Sequence, residues 1–209
     1  PPFGNAAAPC MSPDGKWVVY VHTCEGKDGL ALVDSNGESW PHKLAFGTDF
    51  VMQPVWHPDG HHLAYVTWDH PNMPWDGTRL NLAKLAYDHT GTPYIESVKV
   101  IAGNDETAIF QPEFSPNGRY LSYVSNQTSF GQLYLYDLQE QTHIQLTDAE
   151  SEVSMPAWIQ GMRTYTWTAD SDNIYFLCNT AGFNSLHRYS IKSGLETENL
   201  ALRNYTDMK

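Results

Sequence analysis

The stretch Gln111-Pro112-Glu113-Phe114-Ser115-Pro116-Asn117-Gly118-Arg119-Tyr120-Leu121-Ser122-Tyr123-Val124 decides the fold, because the chain says it more than once. Upstream, the same sentence reads Gln53-Pro54-Val55-Trp56-His57-Pro58-Asp59-Gly60-His61-His62-Leu63-Ala64-Tyr65-Val66, and before that Ala8-Pro9-Cys10-Met11-Ser12-Pro13-Asp14-Gly15-Lys16-Trp17-Val18-Val19-Tyr20-Val21. A degenerate fourth copy runs from Tyr165 to Phe176. Ser12, His57, Ser115 and Thr168 occupy matching places, at intervals of 45, 58 and 53 residues. Each Pro-Asp-Gly or Pro-Asn-Gly step is corner chemistry. Proline presets φ, Asp or Asn caps its own backbone, and Gly accepts a positive φ without a Cβ clash. Aromatic and β-branched residues flank every corner, so each copy predicts a hairpin. Its inner strand ends at Met11, Trp56, Phe114 or Trp167.

The second strands, such as Trp17-Val18-Val19-Tyr20-Val21, are apolar throughout rather than alternating, which suits a strand covered on both faces. A third strand follows in each copy (30–33, 80–85, 133–136, 186–191), then a weaker outer one (42–46, 98–102, 143–147, 198–202). Periods of this size, each holding four short strands, predict an all-β chain: a β-propeller of about four blades of four antiparallel strands, at 8–47, 52–103, 111–147 and 155–202. Single-chain propellers of this repeat type usually need more blades, and the chain opens on Pro1 rather than Met and ends without a recognisable closing strand. The expectation is an incomplete ring, a piece of a larger propeller, whose uncovered faces favour self-association.

Composition narrows the function classes. Twelve Lys and Arg against 24 Asp and Glu leave a net charge of −12. That argues against nucleic acid, which needs basic clusters, and against an anionic membrane surface. No run approaches the roughly 20 apolar residues of a membrane helix. Three cysteines, Cys10, Cys24 and Cys178, form no close-spaced pair and so indicate neither a disulfide framework nor a zinc signature. They favour a reducing compartment. The expected location is cytoplasmic, with the periplasm left open by the N-terminus.

The resemblance to a known family rests on three stretches. Trp68-Asp69-His70-Pro71-Asn72-Met73-Pro74-Trp75-Asp76-Gly77-Thr78 resembles a motif in the propeller of prolyl oligopeptidase family serine peptidases, closest to the dipeptidyl aminopeptidase/acylaminoacyl-peptidase type. Ala102–Glu106 running into Ile109–Gly118 resembles the same propeller, as does Ala149–Trp158 followed by Gly161–Tyr165. The Ser-Pro-Asp-Gly hairpin alone is shared with TolB-like propellers. The resemblance implies an α/β-hydrolase domain with a Ser-Asp-His triad elsewhere in the parent protein, and a propeller that caps the active site and admits short peptides. This chain carries no Gly-x-Ser-x-Gly elbow, so no catalytic residue is assigned and residues 1–209 alone are expected not to hydrolyse peptides. The alternative is a TolB-like segment acting as a protein-binding module.

Candidate contact residues for substrate or hydrolase domain are Trp68, His70, Met73, Trp75 and Asp76, in one loop rich in aromatics and proline, with Glu150 and Glu152. The loop reads as an interface edge or, on the plainer view, as aromatics packed over the blade edge. The two carboxylates could meet a peptide's amino terminus or stand as solvated charges. Neither cofactor nor metal is expected. His57 sits in a turn position, and the adjacent His61 and His62 would point to opposite faces of a strand.

Overall fold

The computed structural model describes residues 4–147 and 152–197, the last three by their backbone only. Blade 1 comprises β1 (Asn5–Met11), β2 (Trp17–Cys24), β3 (Lys27–Asp34) and β4 (His42–Ala45). Blade 2 comprises β5 (Phe50–Trp56), β6 (His62–Trp68), β7 (Arg79–Tyr87) and β8 (Pro93–Gly103). Blade 3 holds β9 (Ile109–Phe114), β10 (Tyr120–Thr128), β11 (Phe130–Asp137) and β12 (Thr142–Gln145), and blade 4 holds β13 (Tyr165–Trp167), β14 (Asn173–Thr180), β15 (Phe183–Ser190) and β16 (Gly194–Thr197). All four are antiparallel four-stranded sheets in sequence order, with no helix among the described residues, so the chain is an incomplete all-β propeller.

The inner strands end at Met11, Trp56, Phe114 and Trp167, where the sequence places them. One element differs. The fourth outer strand was expected at 198–202, which lies outside the described residues. Among the described residues β16 follows β15 at once, because the turn at 191–193 lets Gly194 pair with Ser190.

Three of the four corners are built alike. Ser12 Oγ donates to Asp14 Oδ1 at 2.6 Å and accepts the Trp17 N–H at 2.9 Å. Ser115 does the same with Asn117 and Tyr120, and Thr168 with Asp170 and Asn173. The hydroxyl thereby satisfies the backbone group that the tight turn would otherwise strand.

The apolar runs have a simple use. In β6, Leu63 and Tyr65 join Val19, Val21, Leu30 and Leu32 in the layer between blades 1 and 2. The intervening Ala64, Val66 and Trp68 join Leu121, Tyr123 and Leu133 in the layer running through blades 2, 3 and 4. One strand therefore serves two cores on opposite faces. The blades meet chiefly along their inner strands, and Trp167 Nε1 of blade 4 donates to Ser122 Oγ of blade 3 at 2.8 Å.

Leu133 is fully buried in this layer. Leu133→Ala is expected to destabilise the propeller by about 2–5 kcal/mol through lost transfer energy and an unfilled cavity. Denaturant unfolding followed by tryptophan fluorescence measures it, and a loss under about 1 kcal/mol would contradict so tight a packing.

Candidate functional site

Topology sorts the loops onto two rims. The Pro-Asp-Gly corners and the third-to-fourth strand turns lie on one. The second-to-third strand loops, including residues 69–78, lie on the other with the blade-to-blade connections.

The 69–78 loop is pinned rather than loose. Asp49 N–H donates to Asp69 Oδ1 at 2.8 Å, and His70 N–H to Asp49 Oδ2 at 3.1 Å. Asn72 Nδ2 donates to the Asp105 carbonyl at 2.8 Å. Thr78 Oγ1 accepts the Ile109 N–H at 2.6 Å, tying the loop's exit to the next inner strand. Gly77 is required there, since a Cβ would lie 2.2 Å from the Asp105 carbonyl.

The candidate residues of this loop divide. Trp68 is buried and stacks on Phe50, with ring centres 5.1 Å apart, so it belongs to the core. His70 stands edge-on to the same Phe50 ring at 4.8 Å. Asp76 accepts the Met73 N–H at 2.9 Å and so shapes the loop. Met73 is 48% exposed, and Trp75 packs against Trp158 at 4.9 Å. Trp158 and Ile159, from the connection into blade 4, are 67% and 66% exposed. Between Trp75 and that connection lies a cleft of about 210 Å³, walled by Phe110, Val124, Asn126, Glu152 and Met155.

The structure thus brings Trp75 and Glu152 to one cleft. Glu152 is occupied: its Oε1 accepts the Gly131 N–H at 2.7 Å and both Ser154 N–H and Ser154 Oγ–H. Its backbone bridges to Asn179. Glu152 therefore joins blades 3 and 4 as much as it lines the cleft. Glu150 lies outside the described residues.

A second set of residues, not singled out from the sequence, meets at the propeller axis. Ala8, Gln53 and Gln111 each precede proline with φ of 47°, 53° and 47°. Each sits where the inner-strand register slips. A left-handed residue before proline is costly, of order 1–3 kcal/mol, and it re-aims the chain. At the two Gln positions the consequence is a chain of amides across blades. Gln111 N–H donates to Gln53 Oε1 at 2.7 Å, and Gln111 Nε2 to the Tyr165 carbonyl at 2.7 Å. Thr164 N–H donates to Gln111 Oε1 at 2.6 Å. From the blade 4 connection, Gln160 accepts the Gln53 N–H at 3.1 Å and donates to the Val51 carbonyl at 3.0 Å. The connection therefore reaches back to blade 2. It leaves an axial cavity of about 160 Å³ lined by Cys10, Gln53, Gln111 and Arg163. The only advance sign was Gln-Pro at matching places in two repeats.

Arg163 pairs with Glu113 at 3.0 Å beside this cavity. Burial pushes the Glu113 carboxyl above its ordinary 4.5, with the Arg163 charge pulling the other way and losing. Burial likewise raises the Cys10 thiol, keeping it protonated and a poor nucleophile. Ser185 Oγ lies 2.8 Å from His187 Nε2, and no carboxylate among the described residues is bonded to that ring. The arrangement offers an apolar rim cleft and a polar cavity, with no activated nucleophile among the described residues.

These features define a class: a propeller segment with an aromatic rim cleft and a polar axial plug. The family model for the prolyl oligopeptidase N-terminal beta-propeller domain matches residues 5–192, and the chain belongs to that family. Among solved structures it is similar to a puromycin-hydrolyzing peptidase of Mycobacterium tuberculosis, at 23% identity and a TM-score of 0.81, covering 95% of this chain and 32% of that one. It is similar to a puromycin hydrolase at 28% identity and a TM-score of 0.79, covering 92% and 30%. TolB from Acinetobacter baumannii shares the fold at 18% identity and a TM-score of 0.64, covering 93% and 44%. No curated protein sequence matches. The chain thus spans about a third of the length of these peptidases.

Because folded Glu113 holds its proton to higher pH than the unfolded chain does, the unfolded chain releases it first as pH rises. Stability from this group is greatest below the ordinary glutamate range and falls across the window from 4.5 up to the raised folded value. Glu113→Gln should flatten that part of the stability–pH curve. Thermal melts of both proteins between mildly acidic and neutral pH check this, and an unchanged slope would contradict it.

Proposed function

We propose that this chain is the gating and substrate-selecting propeller portion of a prolyl oligopeptidase family serine peptidase, non-catalytic by itself. Its partner is an α/β-hydrolase domain borne by the same protein, and its substrates are short peptides. The observation that carries the reading is the rim cleft lined by half-buried Trp75, which packs on exposed Trp158, with Met73 and Ile159 exposed in the same two loops. Large apolar side chains crowded on one rim mark an interaction edge. Here two loops from different blades are tied down by hydrogen bonds so that little is lost in ordering them on contact. Family membership supplies the partner's class. The axial plug supports the gating half of the reading, since Gln160 and Arg163 of the blade 4 connection reach back to Gln53 of blade 2 and Glu113 of blade 3.

The rival reading, a TolB-like module that binds other proteins, draws on the fold shared with TolB and on the same exposed rim. A Gly-x-Ser-x-Gly elbow in the rest of the parent protein decides against it.

Trp75→Ala and Trp158→Ala in the full-length protein remove the aromatic pair without touching the core. Each is expected to change kcat/KM for an extended peptide several-fold relative to that for a short aminoacyl chromogenic amide, as an interface anchor worth roughly 1–2 kcal/mol would. Parallel steady-state assays on the two substrates measure the ratio. An unchanged ratio in both variants would sink the gating role.

A further inference from the structure

The corner of blade 2 departs from the other three. Where they carry a hydroxyl, it carries His57, and the imidazole is wedged between blades 2 and 3. Its side chain is 12% exposed, and its ring stands edge-on to Phe114 at 4.8 Å. Its Nε2 lies 2.7 Å from the Gly118 carbonyl. A carbonyl oxygen only accepts, so Nε2 carries a proton and a neutral ring presents its Nδ1 lone pair. That lone pair accepts the Asp59 backbone N–H at 3.1 Å, and Asp59 Oδ1 lies 2.8 Å from the same nitrogen. On the other side His62 Nδ1 lies 3.1 Å from Asp59 Oδ2. Two ring nitrogens and a carboxylate oxygen thus converge within 4.8 Å of one another. Asp59 Oδ1 also accepts the His61 N–H at 2.6 Å, so a metal cation between these atoms would take the place of the long Asp59 N–H contact on His57 Nδ1.

Three features favour the cation. Two imidazoles with one carboxylate is a ligand set that zinc takes with a fourth position open. The His57 ring is oriented by a backbone carbonyl on its far nitrogen, as ligating histidines ordinarily are. The fourth direction opens into a groove between blades 2 and 3 bordered by Tyr136, Gln139 and Gln141. The nearest cation in that groove, Lys99, is committed to Tyr136 Oη at 3.2 Å and Gln141 Oε1 at 3.1 Å. The pairing escapes a search for neighbouring histidines. His61, next to His62, turns away to meet the Tyr87 ring at 5.4 Å, while His57 and His62 are joined across the Pro-Asp-Gly corner.

We propose that His57 Nδ1, Asp59 and His62 Nδ1 form a binding site for one divalent transition cation of the zinc type, on the rim opposite the aromatic cleft. Bound there, the ion would lock the blade 2 corner in the position that His57 holds against blade 3.

The test is calorimetric titration of Zn²⁺ into the metal-stripped full-length protein at neutral pH, with the Co²⁺ absorption spectrum as a second readout. Wild type and the His61→Ala control should bind one equivalent more than His62→Ala. His57→Ser, which installs the hydroxyl of the first and third repeats and so spares the corner, should weaken that equivalent about tenfold or more. Co²⁺ should give visible bands of a low-coordinate nitrogen and oxygen site in wild type and not in His62→Ala. Equal Zn²⁺ binding in wild type, His57→Ser and His62→Ala would overturn the proposal. So would no binding to wild type at millimolar Zn²⁺.

Discussion

Two-faced burial of the middle blades, 2 and 3, is the constraint on which the rest depends. A four-stranded sheet with apolar residues on both faces cannot exist alone in water, and it becomes stable only when sandwiched. Leu63 and Tyr65 on one face of β6, with Ala64 and Val66 on the other, show the requirement within five residues. Once blades must stack, the inner strands converge on an axis, and side chains at their bends have no neighbour but the next blade's bend. The amide chain from Gln53 through Gln111 to Thr164 follows from that convergence. Buried amides of this kind must be satisfied, and each blade satisfies the next.

The two rims divide the labour. One carries the tight corners, whose hydroxyl caps recur three times and give way once to His57. The other carries the long connections, whose exposed aromatics form a cleft. A scaffold with short turns on one side and long loops on the other presents a single variable surface, and function on rigid scaffolds usually sits on such loops. The charge pattern fits: Glu113 and Arg163 are paired next to the axis, so that region is polar without a strong field of either sign.

Much of this architecture was legible in advance, for local reasons. The Pro-Asp-Gly corners, the strand ends at Trp56 and Phe114, and the doubly covered second strands are encoded within a few residues of where they act. The loop at 69–78 was legible as unusual, yet its residues have different fates. Trp68 continues the alternation of β6 and is therefore core, whereas Trp75 lies past the two prolines, where the chain has left the sheet. Glu152 is legible as a loop carboxylate ahead of an inner strand, but its engagement with Gly131 and Ser154 is not, since it depends on how blade 3 meets the blade 4 connection. The fourth outer strand expected at 198–202 lies outside the described residues, and pairing with β15 is seen from Gly194 to Thr197.

The sequence by itself determined the repeat, the hairpin at each corner and the all-β class, because turn chemistry and strand preference act over a handful of neighbours. Only the tertiary structure decided which distant side chains face one another. It placed Trp75 against Trp158, closed the amide chain across the axis, and joined His57 to His62 through Asp59. Those meetings depend on the angle at which blades stack and on loops crossing between them, and interactions so remote along the chain leave no periodic trace in it.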